Sequence, residues 1–430
     1  MDDIANYALD ALKKAGADKA SCHVSKGRND EFNVEENKFT LLRTTFNDGL
    51  NIKALVGGRK GVMVVNKLDK NSIDEAVNNC IALAKSGTPD EAEDIAPLAE
   101  NKTFDQTIGG ADMSKLFSHT KEYLAELKEK YPKIVLNSMS SQFHSGEWQY
   151  VNSNGVNFSA KHENYSFHNM FVAKDGEKSS SFNGGGASLK DLKTPFMDTG
   201  IHRQALDESV KSLNPRMVDG KFTGKVIFTP TCPDPIWYTI LGCFIGDGVL
   251  IEGTSRWADA LGTTVADPRI TMRSTVSHPS LVWGEAITGD GFLSQDNDFI
   301  KDGILKSFAL GLYGANKTGK PRSANTAHYN LEILPGDTTL ADMIKGIDKG
   351  ILLNRFSGGQ PGPSGDVSGV AKNSFLIENG QITDAIQETM LSFNVTDVLK
   401  NLVSISKETI TDGHSILPWC CFDGITVSGK

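Results

Sequence analysis

The chain has 430 residues, 39% of them hydrophobic and 23% charged, enough apolar material for two or three cored domains and too even a balance for wholesale disorder. Its 44 Lys and Arg against 53 Asp and Glu give a formal charge of −9 with no dense basic run, which excludes a protein that coats nucleic acid by counterion release. The acidic start Met1-Asp2-Asp3-Ile4, and the lack of any apolar stretch near the roughly 20 residues a membrane helix requires, point to a cytoplasmic protein with no membrane partner.

In chain order, Ile4, Ala5, Ala8, Leu9 and Leu12 recur at helical spacing and Gly16 follows as a stop, so a helix opens the chain. Short segments rich in β-branched and aromatic residues come next, near 20–25, 31–34, 39–46, 50–56 and 61–65, and predict an antiparallel sheet. Ser72 to Glu75 has the form of a capping box at the head of a helix ending at Gly87. The acidic, Pro-containing stretch 88–105 is a candidate linker. A second unit has a helix over 113–131, strands near 133–139, 147–151 and 155–174, a Gly184-Gly185-Gly186 loop and a helix over 202–213. Asn214-Pro215 is a boundary signal.

Beyond Gly220 the texture is β-rich with long loops, among them 356–369, apart from a helix over 235–245 and one near 338–345. The expected class is α+β: an N-terminal half of mainly antiparallel sheet with packed helices, and a β-rich C-terminal half. The expected units are 1–105, 106–215 (separate from the first or joined with it) and 220–430.

The recurrent motifs of catalysis are absent. Gly314 to Lys320 approaches a phosphate loop, but Pro321 stands where a Ser or Thr would meet Mg²⁺, and no helix pattern follows. The only close His pair, His162 and His168, lies on one strand face about 20 Å apart at roughly 3.3 Å per residue, too far to share an ion. Asp290, Asp296, Asp298 and Asp302 lack the ladder of a Ca²⁺ loop and are expected to be solvated. The six cysteines show no C-x-x-C spacing and are expected to be reduced core residues, with Cys420 and Cys421 on opposite faces of a strand.

The chain does carry an ordered series of short motifs. They run from Gly16-Ala17-Asp18 through Asp48 to Ile52, Gly57 to Gly61 and Asn152 to Gly155. The later ones are Thr318-Gly319, Leu334 to Asp337, Gly365 to Ser368, Phe375 to Gly380 and Gly424 to Gly429. In this order, over nearly the whole length, the chain resembles the TldD/PmbA family of peptidase-related proteins, once described as modulators of DNA gyrase. In its TldD-type members a helix carries His-Glu-x-x-x-His, and a Cys near the C-terminus completes a zinc site. Those six places fall here on Tyr238-Thr239-Ile240-Leu241-Gly242-Cys243. Both His and the Glu are missing, and neither Cys420 nor Cys421 can be placed on the ligand Cys.

The resemblance is therefore to the PmbA/TldE type. It implies no catalytic residue and no metal in this chain, zinc in a TldD-type partner, and Tyr238, Thr239 and Cys243 as residues left to line a cavity. It also implies a heterodimer with that paralogue, or a homodimer, acting on unfolded peptides that add to an exposed strand edge. A stand-alone peptide- or protein-binding regulator is the alternative, and an independent hydrolase built on a Cys or an acidic metal loop is a third. The lone chain's status as an enzyme stays open at this point.

Overall fold

The computed structural model describes every residue except 283, 327–329 and 360, so His328 and the Gln360 position of the 356–369 loop lie outside the described residues. The chain opens with α1 (Asp2–Lys14), β1 (Lys19–Glu35), β2 (Lys38–Val56), β3 (Arg59–Val65) and α2 (Lys70–Ser86). It continues with β4 (Lys102–Gln106), α3 (Met113–Lys130), β5 (Ile134–Asn152), β6 (Asn157–Asp175), the two-residue β7 (Lys178–Ser179), β8 (Asn183–Leu189) and α4 (His202–Lys211). The strands form one sheet in the order β3-β2-β1-β5-β6-β4, with β7 and β8 added along β6. Every pairing is antiparallel except β4 with β6.

The five short segments expected between residues 20 and 65 are three strands, two of them 17 and 19 residues long. Polar positions that look like breaks stay in register because neighbouring chains pair their backbone and their side chains pair with one another. Glu31, only 3% exposed, accepts from Asn29, Asn33 and Arg43. Arg28 holds Asp30 at 2.8 Å. The 133–139 and 147–151 segments merge into β5 in the same way.

Helix α2 starts before the expected box. Asp69, in extended backbone, accepts from the Ser72 amide at 3.1 Å, so the cap is an aspartate one turn earlier. The 88–101 stretch packs on the sheet through buried Ala92, Ile95 and Ala96, and Lys19 and Lys53 hold Asp94 and Glu93. The triple glycine is strand β8 and not a loop. A Cβ at Gly184 would overlap the Asn169 carbonyl, and one at Gly186 would overlap His168 and the Phe167 carbonyl, so only glycines let this strand lie against β6.

The C-terminal half contains β9 (Arg216–Met217), β10 (Lys221–Phe228), α5 (Asp247–Ile251), β11 (Met272–Ser274), β12 (Asn297–Lys301), β13 (Ile304–Leu305), α6 (Leu312–Thr318) and β14 (Leu331–Ile333). Then come α7 (Leu340–Lys345), β15 (Lys349–Leu353), β16 (Arg355–Gly358), β17 (Asp366–Lys372), β18 (Phe375–Glu378), β19 (Gln381–Gln387), β20 (Met390–Asn394), α8 (Val395–Val398), β21 (Leu402–Thr411) and β22 (Ser415–Ser428). They build a mixed sheet with the central run β11-β14-β22-β10-β15-β18-β19. Strand β22 crosses two cores. Cys420 faces the larger one with Phe228 and Phe244, and Cys421 faces the smaller one with Ile227 and Trp419. All six cysteines are free thiols. Among the described residues no helix is long and apolar enough to cross a membrane.

Candidate functional site

Between β10 and α5 the chain winds as Asp234–Tyr238 and Ile240–Ile245 in the wide helical form closed by i→i+5 bonds. Pro233 leads in and the Asp247 turn leads out. This is the segment on which the sequence resemblance puts the family's zinc-motif positions. A wider turn brings positions 238 and 243 closer to one side than an α-helix of about 3.6 residues per turn would.

The side chains there do not build a metal site. Tyr238 is 39% exposed. Thr239 is buried and donates to the Asp234 carbonyl at 3.1 Å. The Cys243 thiol donates to the Pro361 carbonyl at 3.1 Å, and burial raises its pKa. The Tyr238 phenol is likewise raised, by burial first and then by the nearby Asp412 and Asp234 charges. Zinc takes thiolate, imidazole or carboxylate ligands in a converging set, and its hydrolytic chemistry requires a base beside it. A phenol and a thiol that both resist ionisation, five residues apart, do not fit that ion. Among the described residues no group of three His, Cys, Asp or Glu side chains could hold a metal.

The other candidates from the sequence resolve in the same way. Helix α6 covers Leu312–Thr318 and ends on a left-handed Gly319, so the near phosphate loop is a helix and its C-cap, with Lys317 on Asp90. Of the four acidic residues, Asp296 and Asp302 are exposed as expected, whereas Asp290 and Asp298 are half-buried. Asp290 accepts from the Leu312 amide at 2.6 Å and Asp296 from the Val276 amide at 2.8 Å, while Asp298 sits on β12. Cys420 and Cys421 are buried thiols with raised pKa, the latter to about 12.

Of the three residues left at the motif positions, Tyr238 lines the cavity that stands out, and Thr239 and Cys243 do not. This cavity, about 800 Å³, opens between β8 and α4 on one side and the 230–238 segment, Asn354 and Asp412 on the other. It falls in the range of ligand pockets. The two walls are tied together. Asn354 Nδ2 donates to Glu208 Oε2 at 2.7 Å, Arg355 donates to the Phe182 carbonyl at 2.6 Å, and the Ser188 amide donates to the Asp412 carbonyl at 2.8 Å.

Two buried titratable groups sit in the α4 wall. Glu208 is 8% exposed and accepts from Gln204 and Asn354, and burial lifts its pKa to about 7. His202 is 4% exposed, and burial, helped by the Arg203 charge, lowers its pKa to about 4, so the ring is neutral. Asn169 accepts the Gly185 amide through Oδ1, which turns its Nδ2 toward Tyr123 and His202 Nε2. Nε2 then accepts and Nδ1 carries the proton. That Nδ1 has no hydrogen-bond partner.

Sequence reasoning missed Glu208, His202 and Asn354. Helical periodicity makes α4 one more amphipathic helix, and only the Gly-Gly-Gly run signalled that a backbone approaches closely here. A second cavity, about 590 Å³, lies on the N-terminal sheet, where His23 packs on Trp148 at 5.8 Å under the 284–289 loop.

Residues 221–429 match the model of the PmbA/TldA metallopeptidase C-terminal domain. The chain is 23% identical to "Metalloprotease PmbA" of Escherichia coli O157:H7 over 441 residues, covering 97% of this chain and 95% of that one. A "Zinc metalloprotease TldD homolog" of Saccharolobus solfataricus is 25% identical over 146 residues, 31% of this chain and 32% of that one. The fold is that of TldE from Thermococcus kodakarensis (TM-score 0.85, 19% identity, 99% and 100% of the two chains). It is also that of a putative modulator of DNA gyrase from Bacteroides thetaiotaomicron (TM-score 0.86, 21% identity, 100% and 99%).

Proposed function

The chain belongs to the TldD/PmbA family of peptidase-related proteins, and from that premise we propose that it is the non-catalytic, TldE-like subunit of a cytoplasmic zinc metallopeptidase acting on unfolded peptides. The observation that carries this is the retained helix with its chemistry removed. Tyr238, Thr239 and Cys243 stand on the wide helical segment, at the positions the resemblance gives to the zinc motif, and none supplies an ion with an ionised ligand or a water with a base. Zinc and the general base then come from a His-Glu-x-x-x-His paralogue, and this chain supplies cavity wall and peptide-binding surface.

Two surfaces support such a division. Strand β2 pairs with β3 only over 50–56, so its outer half, 38–49, presents an unpaired edge on that side, with Leu42 and Phe46 68% and 71% exposed. An open apolar edge of this length is a partner surface or an aggregation hazard, and it fits the paralogue. Strand β8 presents a second edge, inside the 800 Å³ cavity. The Ser188 amide points away from β6 to Asp412, and strand alternation puts Gly184 and Gly186 on that same edge; the Gly184 amide donates to Asn183 Oδ1 at 3.0 Å, which leaves Gly186 as the place where an extended peptide can add its backbone.

Affinity purification of the tagged chain from its host, with zinc analysis, tests the assignment. A stoichiometric paralogue bearing the zinc motif, and zinc only in its presence, is expected. A metal-free homo-oligomer with no peptidase partner would favour the regulator reading.

A further inference from the structure

The cavity at β8 has a charge pattern as well as a strand edge. Its charged lining consists of Glu208, Asp234 and Asp412 against a single cation, Arg355, whose guanidinium is engaged by the Phe182 carbonyl. Asp412 is held in place by the amides of His414 and Ser415. The Asp234 carboxylate has no hydrogen-bond or ion-pair partner among the described residues, and the protein packed around it raises its pKa.

Behind these acids lie two polar atoms with nothing to bond. His202 Nδ1 sits 3.1 Å from where a Gly185 Cβ would be, and Asn354 Oδ1 is equally unpartnered; both residues are more than nine-tenths buried in the cavity wall. Buried donors and acceptors left open in a native fold ask for a ligand or water. A surplus of carboxylates selects a cation, a free strand edge selects main chain, and Met170, Phe182 and Ile201 offer apolar contact for small side chains.

We propose that this cavity is a binding site for the free amino terminus of an extended peptide, whose ammonium is held by Asp234, the carboxylate with no partner of its own, while its first residues pair with the β8 edge at Gly186. The proposal builds on the peptide-binding role given above, but the site lies within one chain, so it is tested on the isolated full-length protein with no paralogue present.

Calorimetric titration with three probes decides it: alanyl-alanyl-alanine amide, its N-acetyl form, and N-acetyl-alanyl-lysyl-alanine amide. The free-amine probe is expected to bind at least ten-fold more tightly than either acetylated one. Asp234→Asn is expected to remove most of that difference while leaving the melting temperature unchanged, since Asp234 has no partner to lose. Equal binding of the acetylated and free peptides, no binding at millimolar concentration, or discrimination that survives Asp234→Asn would overturn the site. Binding of the lysyl probe as tight as that of the free-amine probe would overturn the amino-terminus assignment in favour of a side-chain ammonium. Absence of a paralogue from the pull-down would sink the subunit role while leaving this result standing.

Discussion

Asn354, at the end of β15, donates its side-chain amide to Glu208 on α4 at 2.7 Å, joining the two halves of the chain 146 positions apart in sequence. Asn354 also donates to the Asn373 carbonyl at 2.8 Å, so one buried side chain fixes the C-terminal strands and the N-terminal helix together.

The burial of Glu208 at this contact gives a pH signature. Glu208 titrates near 7 in the fold against its ordinary value of 4.5, so the folded state holds the proton longer and stability falls as pH rises from about 4.5 to 7. His202, lowered from 6.5 to about 4, does the reverse, and stability falls as pH drops through that window. The two nearly cancel in the wild type. Glu208→Gln is expected to unmask the histidine, giving a stability that climbs between pH 4 and 6.5 and no longer falls toward pH 7, offset at every pH by about 1 kcal/mol because the Gln NH2 replaces one of the two oxygens that accept from Gln204 and Asn354. Urea midpoints at several pH values check this. A variant whose pH profile matches wild type would show that Glu208 titrates normally.

Gly186 has no room for a methyl group. Gly186→Ala is expected to destabilise by about 1–3 kcal/mol through forced displacement of β8 from β6, whereas Gly242→Ala, with open space at its Cβ, should be close to neutral. Thermal melting of the two variants side by side reads the difference. Equal melting temperatures would mean that the β6–β8 approach is looser than described.

The outer edge of β2 is expected to matter for association and not for folding. Leu42→Lys with Phe46→Lys removes two exposed apolar side chains and should keep the melting temperature within a degree or two while abolishing co-purification of the paralogue. Retention of the partner by this double variant would place the interface elsewhere.

Chelation separates the chain from a metalloprotein. Overnight EDTA should leave the melting temperature of the isolated chain unchanged, because the proposed division of labour puts the zinc in the paralogue. A drop of several degrees would reveal a bound metal and contradict the proposed division of labour.

The sequence by itself determined the places of α1, α2 and α3, because each buries an apolar stripe whose spacing is local information, and of α4, although its buried face also carries His202, Glu208 and Ser209; it did not show α6. It also determined the opposite faces of Cys420 and Cys421, since alternation needs only the knowledge that the segment is a strand. The ordered motifs carried the resemblance to the family that the comparisons support.

Tertiary structure decided the rest. The 17-residue β1 runs through its polar stretch because β2 and β5 pair it on both flanks, and the 19-residue β2 follows it along one flank, which no single segment encodes. Gly184–Gly186 became a strand because β6 lies close enough to exclude any Cβ. The cavity exists because Asn354, Tyr238 and Asp412 fold back over α4 and β8 from positions far away in sequence. A buried carboxyl such as Glu208 looks, in a helical pattern, like any solvated glutamate. Its unusual titration comes from what covers it, and that is a property of the packed chain alone.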